Sequence, residues 1–312
     1  MSFTTVLSGT LPVYLMMLVG ALVRRLRWMP PEADTGVMTL CVRLLTPCLA
    51  LERIIGNPAL NDGRQVLLAA ALGYGLVAVS IAICLASTPL LRLKEGEGAR
   101  TFALVTGFQN YGFVAIPVVQ ALFGKELIGV LFTFSLGVEL ALWTIGVGLL
   151  TGFSKAPWRH ALNPPVFGIV AALVLHYAGA GPYIPPMIHT LLGQLGGCAI
   201  PLSVVLIGAT ISDFVGLEPI QWRVAIASPI LRLLILPWGF YACAKWLPMS
   251  DDLRRVLCVQ GAMPAAVFTV VLARIYHGHS ATAVQVILAT TIVSLITTPL
   301  SLGLALEWVG VK

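Results

Sequence analysis

Residues 107–124, with the sequence GFQNYGFVAIPVVQALFG, are apolar enough to lie in a lipid bilayer, yet several of them oppose a continuous helix. Gly107 and Gly112 loosen the backbone, and Asn110 adds a side-chain amide. Pro117 removes a backbone donor and clashes with the carbonyl four residues earlier. In a bilayer, a freed backbone polar group is tolerated only where protein or a water-filled cavity covers it. The stretch therefore predicts a broken helix that faces inward and lines a site.

A second stretch, residues 261–278 with the sequence GAMPAAVFTVVLARIYHG, carries Pro264 near its start. An ordinary proline kink in a packed helix would explain either stretch alone. Two interrupted apolar segments in corresponding positions of two halves, however, indicate the binding site of a transporter. Because the two stretches occur as a pair, we favour the binding site of a transporter over an ordinary proline kink.

The composition indicates a polytopic membrane protein. The 312 residues are 58% hydrophobic and only 10% charged, with a mean hydropathy of +0.93, whereas a soluble domain has about 25% charged residues. The net charge of +6 comes from basic residues at helix ends, so it does not predict a nucleic-acid partner. The six cysteines are scattered through apolar segments and are expected to be buried small hydrophobes. The N-terminus lacks the features of a cleaved signal, so the first segment is expected to remain a transmembrane helix.

Because a membrane span needs about 20 mostly apolar residues, the hydropathy pattern predicts ten transmembrane helices. They cover residues 4–23, 35–54, 65–87, 100–122, 127–150, 163–179, 186–211, 221–246, 253–275 and 281–307. A polar connection after span five divides them into a first five-helix repeat (1–151), a cytoplasmic linker (152–162) and a second five-helix repeat (163–312). Repeats with an odd number of spans enter the membrane in opposite senses, as in the inverted repeats of secondary transporters. Prolines in corresponding spans support the division: Pro47 with Pro201, and Pro117 with Pro264.

The distribution of Lys and Arg predicts the orientation. With the N-terminus outside, ten of these residues lie in cytoplasmic loops and seven lie outside, while Arg43 and Arg232 fall within spans. Early loops, which usually dominate, carry most of the ten. We therefore expect both termini outside, in the cell (inner) membrane.

Short motifs in a fixed order give the sequence a family resemblance. They are Pro47 in span two, the Asn-Pro at Asn163 and Pro164, the Ile-Pro at Ile200 and Pro201, Arg232 before Pro237, Met263 before Pro264, and in span four Asn110, Gly112, Phe113, Ile116, Pro117, Phe123 and Gly124. On these residues the chain resembles the auxin efflux carrier family, which includes bacterial organic-acid permeases and plant PIN-type carriers. The likeness extends from span one to span ten. Two positions depart from the usual pattern: Tyr111 replaces a threonine, and Glu139 stands where bacterial relatives often have an amide.

The resemblance also implies an architecture. Relatives are all-α membrane proteins with two inverted five-helix repeats, in which spans four and nine are broken and cross each other. This scheme is shared with bile-acid symporters and sodium–proton antiporters. Spans one, two, six and seven form a scaffold, and spans three to five and eight to ten form a transport domain that moves as an elevator. Relatives are commonly homodimers through the scaffold.

The expected substrate site lies at the crossing of spans four and nine and comprises Gln109, Asn110, Tyr111, Gly112, Pro117, Met263 and Pro264. Gln109 and Asn110 are candidates for hydrogen bonding to the substrate, although Asn110 could instead cap the freed groups of its own break. The prolines are expected to shape the site rather than to touch the substrate. The first turn after each break presents free N–H groups and a positive dipole end, which suit a carboxylate.

Three charged residues within spans are candidates for coupling or charge compensation. A carboxylate in mid-span, such as Glu139, marks a functional site by default and could exchange a proton, or it could pair with Arg43 or Arg232. Arg232 could attract an anion, neutralise Glu139 or bond carbonyls exposed at a break. Arg43, four residues before Pro47, is expected to bond a freed carbonyl.

Three candidate functions of the chain can be compared. The favoured one is transport of a small organic anion, driven by its own gradient or by protons. A sodium-coupled symporter of the bile-acid type ranks lower because Gln260 and Thr269 are the only polar side chains close to Met263 and Pro264. A membrane-embedded enzyme is disfavoured because no nucleophile, zinc or phosphate-loop motif is present. The histidines lack convincing metal spacing, so no metal or other cofactor is expected.

Overall fold

The computed structural model describes residues 3–93, 98–153, 163–214 and 220–311, and in these ranges the chain folds into helices joined by short connections. Within these ranges, six helical segments are long and apolar enough to cross a membrane. They are Thr4–Arg25, Gly63–Ser87, Leu127–Thr151, Pro186–Asp213, Trp222–Trp246 and Ser280–Val309. They coincide with predicted spans one, three, five, seven, eight and ten, so the expectation of an all-helical membrane protein is confirmed.

The remaining predicted spans are interrupted or short helices. In chain order the helices are α1 (Phe3–Arg25), α2 (Ala33–Leu40), α3 (Thr46–Ile54), α4 (Gly63–Ser87), α5 (Ala99–Gly107), α6 (Ala115–Phe123), α7 (Leu127–Ala141), α8 (Val147–Thr151), α9 (Pro164–Tyr177), α10 (Pro186–Phe214), α11 (Trp222–Pro229), α12 (Pro237–Trp246), α13 (Asp251–Ala262), α14 (Phe268–Ile275) and α15 (Ser280–Val309). Short 3-10 turns occupy Pro58–Leu60 and Gly181–Tyr183. Residues 154–162, which hold most of the predicted linker, lie outside the described ranges.

Three π-helical segments join consecutive helices: Cys41–Leu45 joins α2 to α3, Leu142–Gly146 joins α7 to α8, and Ile230–Ile235 leads towards α12. Two of them end two residues before a proline, Pro47 or Pro237. Since proline cannot donate a backbone hydrogen bond, the wider turn lets the helix continue past it. The widened turn before Pro237 carries Arg232, which is fully buried.

Glycines let two pairs of helices approach to backbone contact, as is usual where helices pack in a membrane. A Cβ at Gly20 or Gly208 would lie 1.9 Å from a backbone carbonyl oxygen of the facing helix, which ties α1 to α10. A Cβ at Gly73 would lie 2.2 Å, and one at Gly137 1.8 Å, from such an oxygen, which ties α4 to α7. These four positions cannot carry a side chain unless the helices separate.

The helices form two groups by their mutual contacts. One group contains α1, α3, α9 and α10, with the segment from Ala33 that leads into α3. The other contains α4, α5, α7 and α11–α15. Between α5 and α6, and between α13 and α14, the helices of predicted spans four and nine are broken, and both breaks lie in the interior.

Candidate functional site

The two broken helices cross at their breaks and pair there. Residues 108–114 separate α5 from α6, and residues 263–267 separate α13 from α14. The backbone N–H of Asn110 donates to the Pro264 carbonyl at 2.7 Å, and that of Ala266 donates to the Phe108 carbonyl at 3.1 Å. Together they form an isolated antiparallel bridge between Gln109 and Ala265. These two bonds satisfy four backbone groups of the unwound segments, as a buried break within a membrane requires.

Side chains satisfy further backbone groups at the crossing. The Asn110 Oδ1 accepts from the Val114 N–H at 3.3 Å, so Asn110 does cap its own break. The Gln260 amide donates to the Tyr111 carbonyl at 3.0 Å. Thr290 Oγ1 accepts from the Ala265 N–H at 3.3 Å.

Pro117 lies outside the break that it was expected to cause. It is the third residue of α6, where its missing N–H would have had no intrahelical partner in any case. The break lies upstream, where Gly107 ends α5 and Asn110 can cap. In span nine, by contrast, Pro264 lies within the unwound segment itself.

A cavity of about 80 Å³ lies beside the crossing, between the two groups of helices. One side consists of residues from the breaks and from α6, α7 and α14, namely Asn110, Tyr111, Gly112, Phe113, Ile116, Phe132, Ser135, Glu139, Ala266, Val267 and Phe268. The other side belongs to the group of α3, α9 and α10, namely Val42, Thr46, Leu49, Pro165, Ile169, Ala199 and Ile200. Most of this lining is apolar.

Asn110 contributes a free amide donor to the lining of this cavity. Its Oδ1 is used by the Val114 N–H, while its Nδ2 makes no hydrogen bond to any described residue. The side chain is only 3% exposed. The first turns of α6 and α14 also border the cavity, through Ile116 and Phe268, and each contributes a positive dipole end.

Among the described residues that line the cavity, only Glu139 is charged, and three side chains hold its carboxylate. Its Oε2 accepts from Trp143 Nε1 at 3.0 Å and from Asn163 Nδ2 at 2.9 Å. Its Oε1 is hydrogen-bonded to the Tyr111 hydroxyl. Asn163 also caps α9, because its Oδ1 accepts from the Val166 N–H at 3.0 Å. The Asn163–Glu139 bond therefore connects one group of helices to the other.

The arginines considered as partners of Glu139 lie elsewhere. Arg232 is 0% exposed and donates to the carbonyls of Met263 at 3.1 Å, Gly261 at 3.3 Å and Gln260 at 3.4 Å. Of the roles considered for it, the structure therefore shows the bonding of carbonyls at a break. Arg43 is exposed in the π-helical segment before α3. Neither arginine lines the cavity.

The predicted site residues divide into two sets. Asn110, Tyr111 and Gly112 line the cavity, whereas Gln109, Pro117, Met263 and Pro264 do not. Gln109 is fully buried, and neither atom of its amide has a hydrogen-bond partner in the described chain.

Sequence reasoning missed Trp143 and the link from Asn163 to Glu139. Trp143 follows Glu139 by four residues and so falls on the same helix face, a signal that was available. The bond from Asn163 joins helices distant in sequence, and only the fold brings them together.

Crossed broken helices beside a buried cavity are a feature of secondary transporters, and comparisons with known proteins agree with that class. The family model described as membrane transport protein matches residues 5–155 and 150–302. The chain therefore belongs to this family of membrane transport proteins, that of the auxin efflux carriers. It is an integral membrane transport protein for a small-molecule substrate and not an enzyme.

Individual relatives are distant. Auxin efflux carrier component 8 of Arabidopsis thaliana is 21% identical over 334 residues, covering 88% of this chain and 90% of that protein. An uncharacterized transporter of Methanocaldococcus jannaschii is 25% identical over 205 residues, covering 64% of this chain and 66% of that protein. An uncharacterized transporter of Methanothermobacter thermautotrophicus is 27% identical over 219 residues, covering 67% and 70%.

Proposed function

We propose that this chain is a secondary transporter of a small organic anion, a carboxylate with an apolar body, which binds beside the crossing of the two broken helices. The observation that carries the proposal is the cavity at the crossing. There the free amide donor of Asn110 and the first turns of α6 and α14 border one buried space. N–H groups and positive dipole ends favour a negative charge.

The apolar lining supports a substrate with one charged end. Besides Asn110, the polar lining residues are Thr46, Tyr111, Ser135 and Glu139. A second carboxylate on the substrate would have to lie against aliphatic and aromatic side chains without a partner, which is costly. A monocarboxylate whose body is aliphatic or aromatic fits this chemistry better than a dicarboxylate.

Glu139 makes a proton the favoured coupling ion. A substrate carboxylate and an ionised Glu139 in one small cavity would repel each other. The hydrogen bonds of Glu139 suit both protonation states of its carboxyl group. Trp143 Nε1 and Asn163 Nδ2 can only donate, and both donate to Oε2. The Tyr111 hydroxyl at Oε1 can either donate or accept. A proton on Oε1 therefore leaves the three hydrogen bonds in place. We infer that Glu139 takes up this proton as the anion binds.

The movement is proposed to be that of an elevator. The scaffold would comprise predicted spans one, two, six and seven, and the transport domain spans three to five and eight to ten, within inverted repeats at 1–151 and 163–312. Two observations support this division: the helices pack in two groups, and the cavity lies between them. During such a movement the Asn163–Glu139 bond would have to break.

Orientation and assembly complete the proposal. We propose termini outside the cell membrane and a homodimer through the scaffold. A reporter fused to either terminus tests the first, because a cytoplasmic signal would contradict it. The mass of the purified protein in detergent or nanodiscs tests the second, and a monomer in both would contradict it.

Substrate binding is tested by thermal unfolding of the purified protein with a panel of monocarboxylic acids, each compared with its neutral amide. We expect at least one acid, and not its amide, to raise the Tm more at low pH than at neutral pH. Asn110→Ala should abolish the shift. Asn61→Ala, a change at an exposed asparagine outside the cavity, serves as the matched control and should retain it. A folded wild-type protein that is stabilised only by neutral or cationic solutes would overturn the proposal.

A further inference from the structure

Helix α13 ends at the crossing, and its last carbonyl groups face Arg232; the Gln260 carbonyl also accepts from the Met263 N–H at 3.4 Å. The last carbonyls of a helix lack intrahelical donors and form its negative dipole end. Here the carbonyl oxygens of Gln260, Gly261 and Met263 converge on one cation. In transporters with broken helices, carbonyls of this kind and half-helix C-terminal ends coordinate a coupling Na⁺.

In this chain the cation among the carbonyls is the guanidinium group of Arg232. It donates to all three oxygens at 3.1 to 3.4 Å and is fully buried. No described carboxylate forms an ion pair with it. A buried charge is costly unless it is paired or well hydrogen-bonded, so the carbonyls and the helix end must compensate it. The Phe240 ring, with its centre 5.5 Å from the guanidinium carbon, adds a cation–π contact.

Polar atoms of Arg232 and of Gln260 remain unsatisfied. The Nη1 atom of Arg232 and the Oε1 atom of Gln260 are buried and have no hydrogen-bond partner in the described chain. An arginine acting only to satisfy the helix end would be expected to use its donors more completely. Three carbonyl oxygens around one buried cation that leaves a donor unused are better explained as a cation site with a tethered occupant.

We propose that Arg232 is a fixed internal cation that occupies a monovalent-cation site at the crossing, and that removing its guanidinium opens this site to a free alkali ion. The ligands would be the carbonyl oxygens of Gln260, Gly261 and Met263. Carbonyl oxygens are ligands that such ions accept readily. The wild-type crossing then carries its positive charge through every cycle and takes up no sodium. The occupancy of this cation site does not depend on the identity of the substrate.

The test is thermal unfolding of purified wild type, Arg232→Ala, Arg232→Gln and Arg232→Lys in chloride salts of sodium, lithium, potassium and choline at equal ionic strength. The Tm of the wild type should not differ among the four salts, and neither should the Tm of Arg232→Lys, because each protein carries a tethered cation. Both neutral variants should be less stable in choline and should gain stability in at least one alkali salt. A cation present at ten times its Kd would shift their folding equilibrium about 11-fold.

The control is Arg43→Ala, which removes an exposed arginine outside the crossing and should show no cation dependence. Folded neutral variants whose Tm is the same in all four salts would overturn the proposal. If the neutral variants do not accumulate in choline, expression and extraction are compared with each alkali ion present. Recovery with one of them supports the proposal. If the neutral variants accumulate in none of the salts while Arg232→Lys does accumulate, the proposal is overturned, because no free ion would then replace the charge of the guanidinium.

Discussion

Replacing Glu139 by glutamine and by leucine separates its hydrogen bonds from its charge. In Glu139→Gln, the amide oxygen can accept from Trp143 and Asn163 as Oε2 does. The amide nitrogen takes the position of Oε1, which accepts from the Tyr111 hydroxyl, and instead donates to that hydroxyl. Each of the three bonds then keeps a donor and an acceptor. In Glu139→Leu, a side chain of similar size makes none of them.

The expected losses of stability follow from the number of hydrogen bonds that each variant keeps. A donor left without a partner costs about 1–3 kcal/mol. Two partners of Glu139, the Tyr111 hydroxyl and the Asn163 amide, are half-buried, so each falls towards the lower end of that range, and Glu139→Leu should lose at least about 2 kcal/mol through them. Glu139→Gln should stay within about 1 kcal/mol of the wild type, because isosteric replacement retains the bonds.

The assay is chemical or thermal unfolding of the two purified variants beside the wild type in the same detergent or lipid. The same proteins are then compared for acid uptake at two pH values. We expect Glu139→Gln to be stable but to have lost the pH dependence of uptake. Equal destabilisation by glutamine and leucine would refute the hydrogen-bond reasoning, and an unchanged pH dependence in Glu139→Gln would refute the role in proton coupling.

Three further predictions concern helix packing and the link between the groups of helices. Gly73→Ala should cost about 1–3 kcal/mol, as overpacking does, since the added Cβ would lie 2.2 Å from the Phe134 carbonyl. Gly75→Ala on the same helix meets nothing within 4 Å and should be neutral or slightly stabilising in unfolding experiments. Asn163→Ala should lose about 1 kcal/mol through the cap of α9, and it should also change the rate of transport. An unchanged rate would show that its bond to Glu139 does not hold the groups of helices together.

The sequence predicted the existence of the two breaks better than their position. Glycine, asparagine and proline within apolar stretches indicated where helices would not continue, because each acts on the local backbone. Their exact roles depended on tertiary contacts. Asn110 satisfies the break in α5–α6, whereas Pro117 is accommodated in the first turn of α6.

The residues around Glu139 show what a single sequence lacks. A carboxylate in mid-span was recognisable, but a partner could be sought only among residues of opposite charge. The structure supplies neutral donors instead, from Tyr111, Trp143 and Asn163. Two of these come from other segments of the chain, so only the packing of the helices identifies them.

For Arg232, the role could be predicted from the sequence, but the partners could not. Its burial and its possible bonding to carbonyls at a break were foreseeable from a basic residue deep in an apolar span. The particular carbonyls, at Gln260, Gly261 and Met263, were not, because they belong to a different helix. The π-helical turn that carries the arginine left no recognisable pattern in the sequence.

The claim that a carboxylate crosses the membrane through the cavity at Asn110 is tested most directly by flux. Labelled monocarboxylates are offered to liposomes containing the wild type, Asn110→Ala or Asn61→Ala, with protein-free liposomes as the measure of passive entry. We expect one acid to enter faster with the wild type and with Asn61→Ala, more so under an inward proton gradient, and at the passive rate with Asn110→Ala. Entry of the acid at the wild-type rate through folded Asn110→Ala, or passive entry of every acid with the wild type, would contradict the claim.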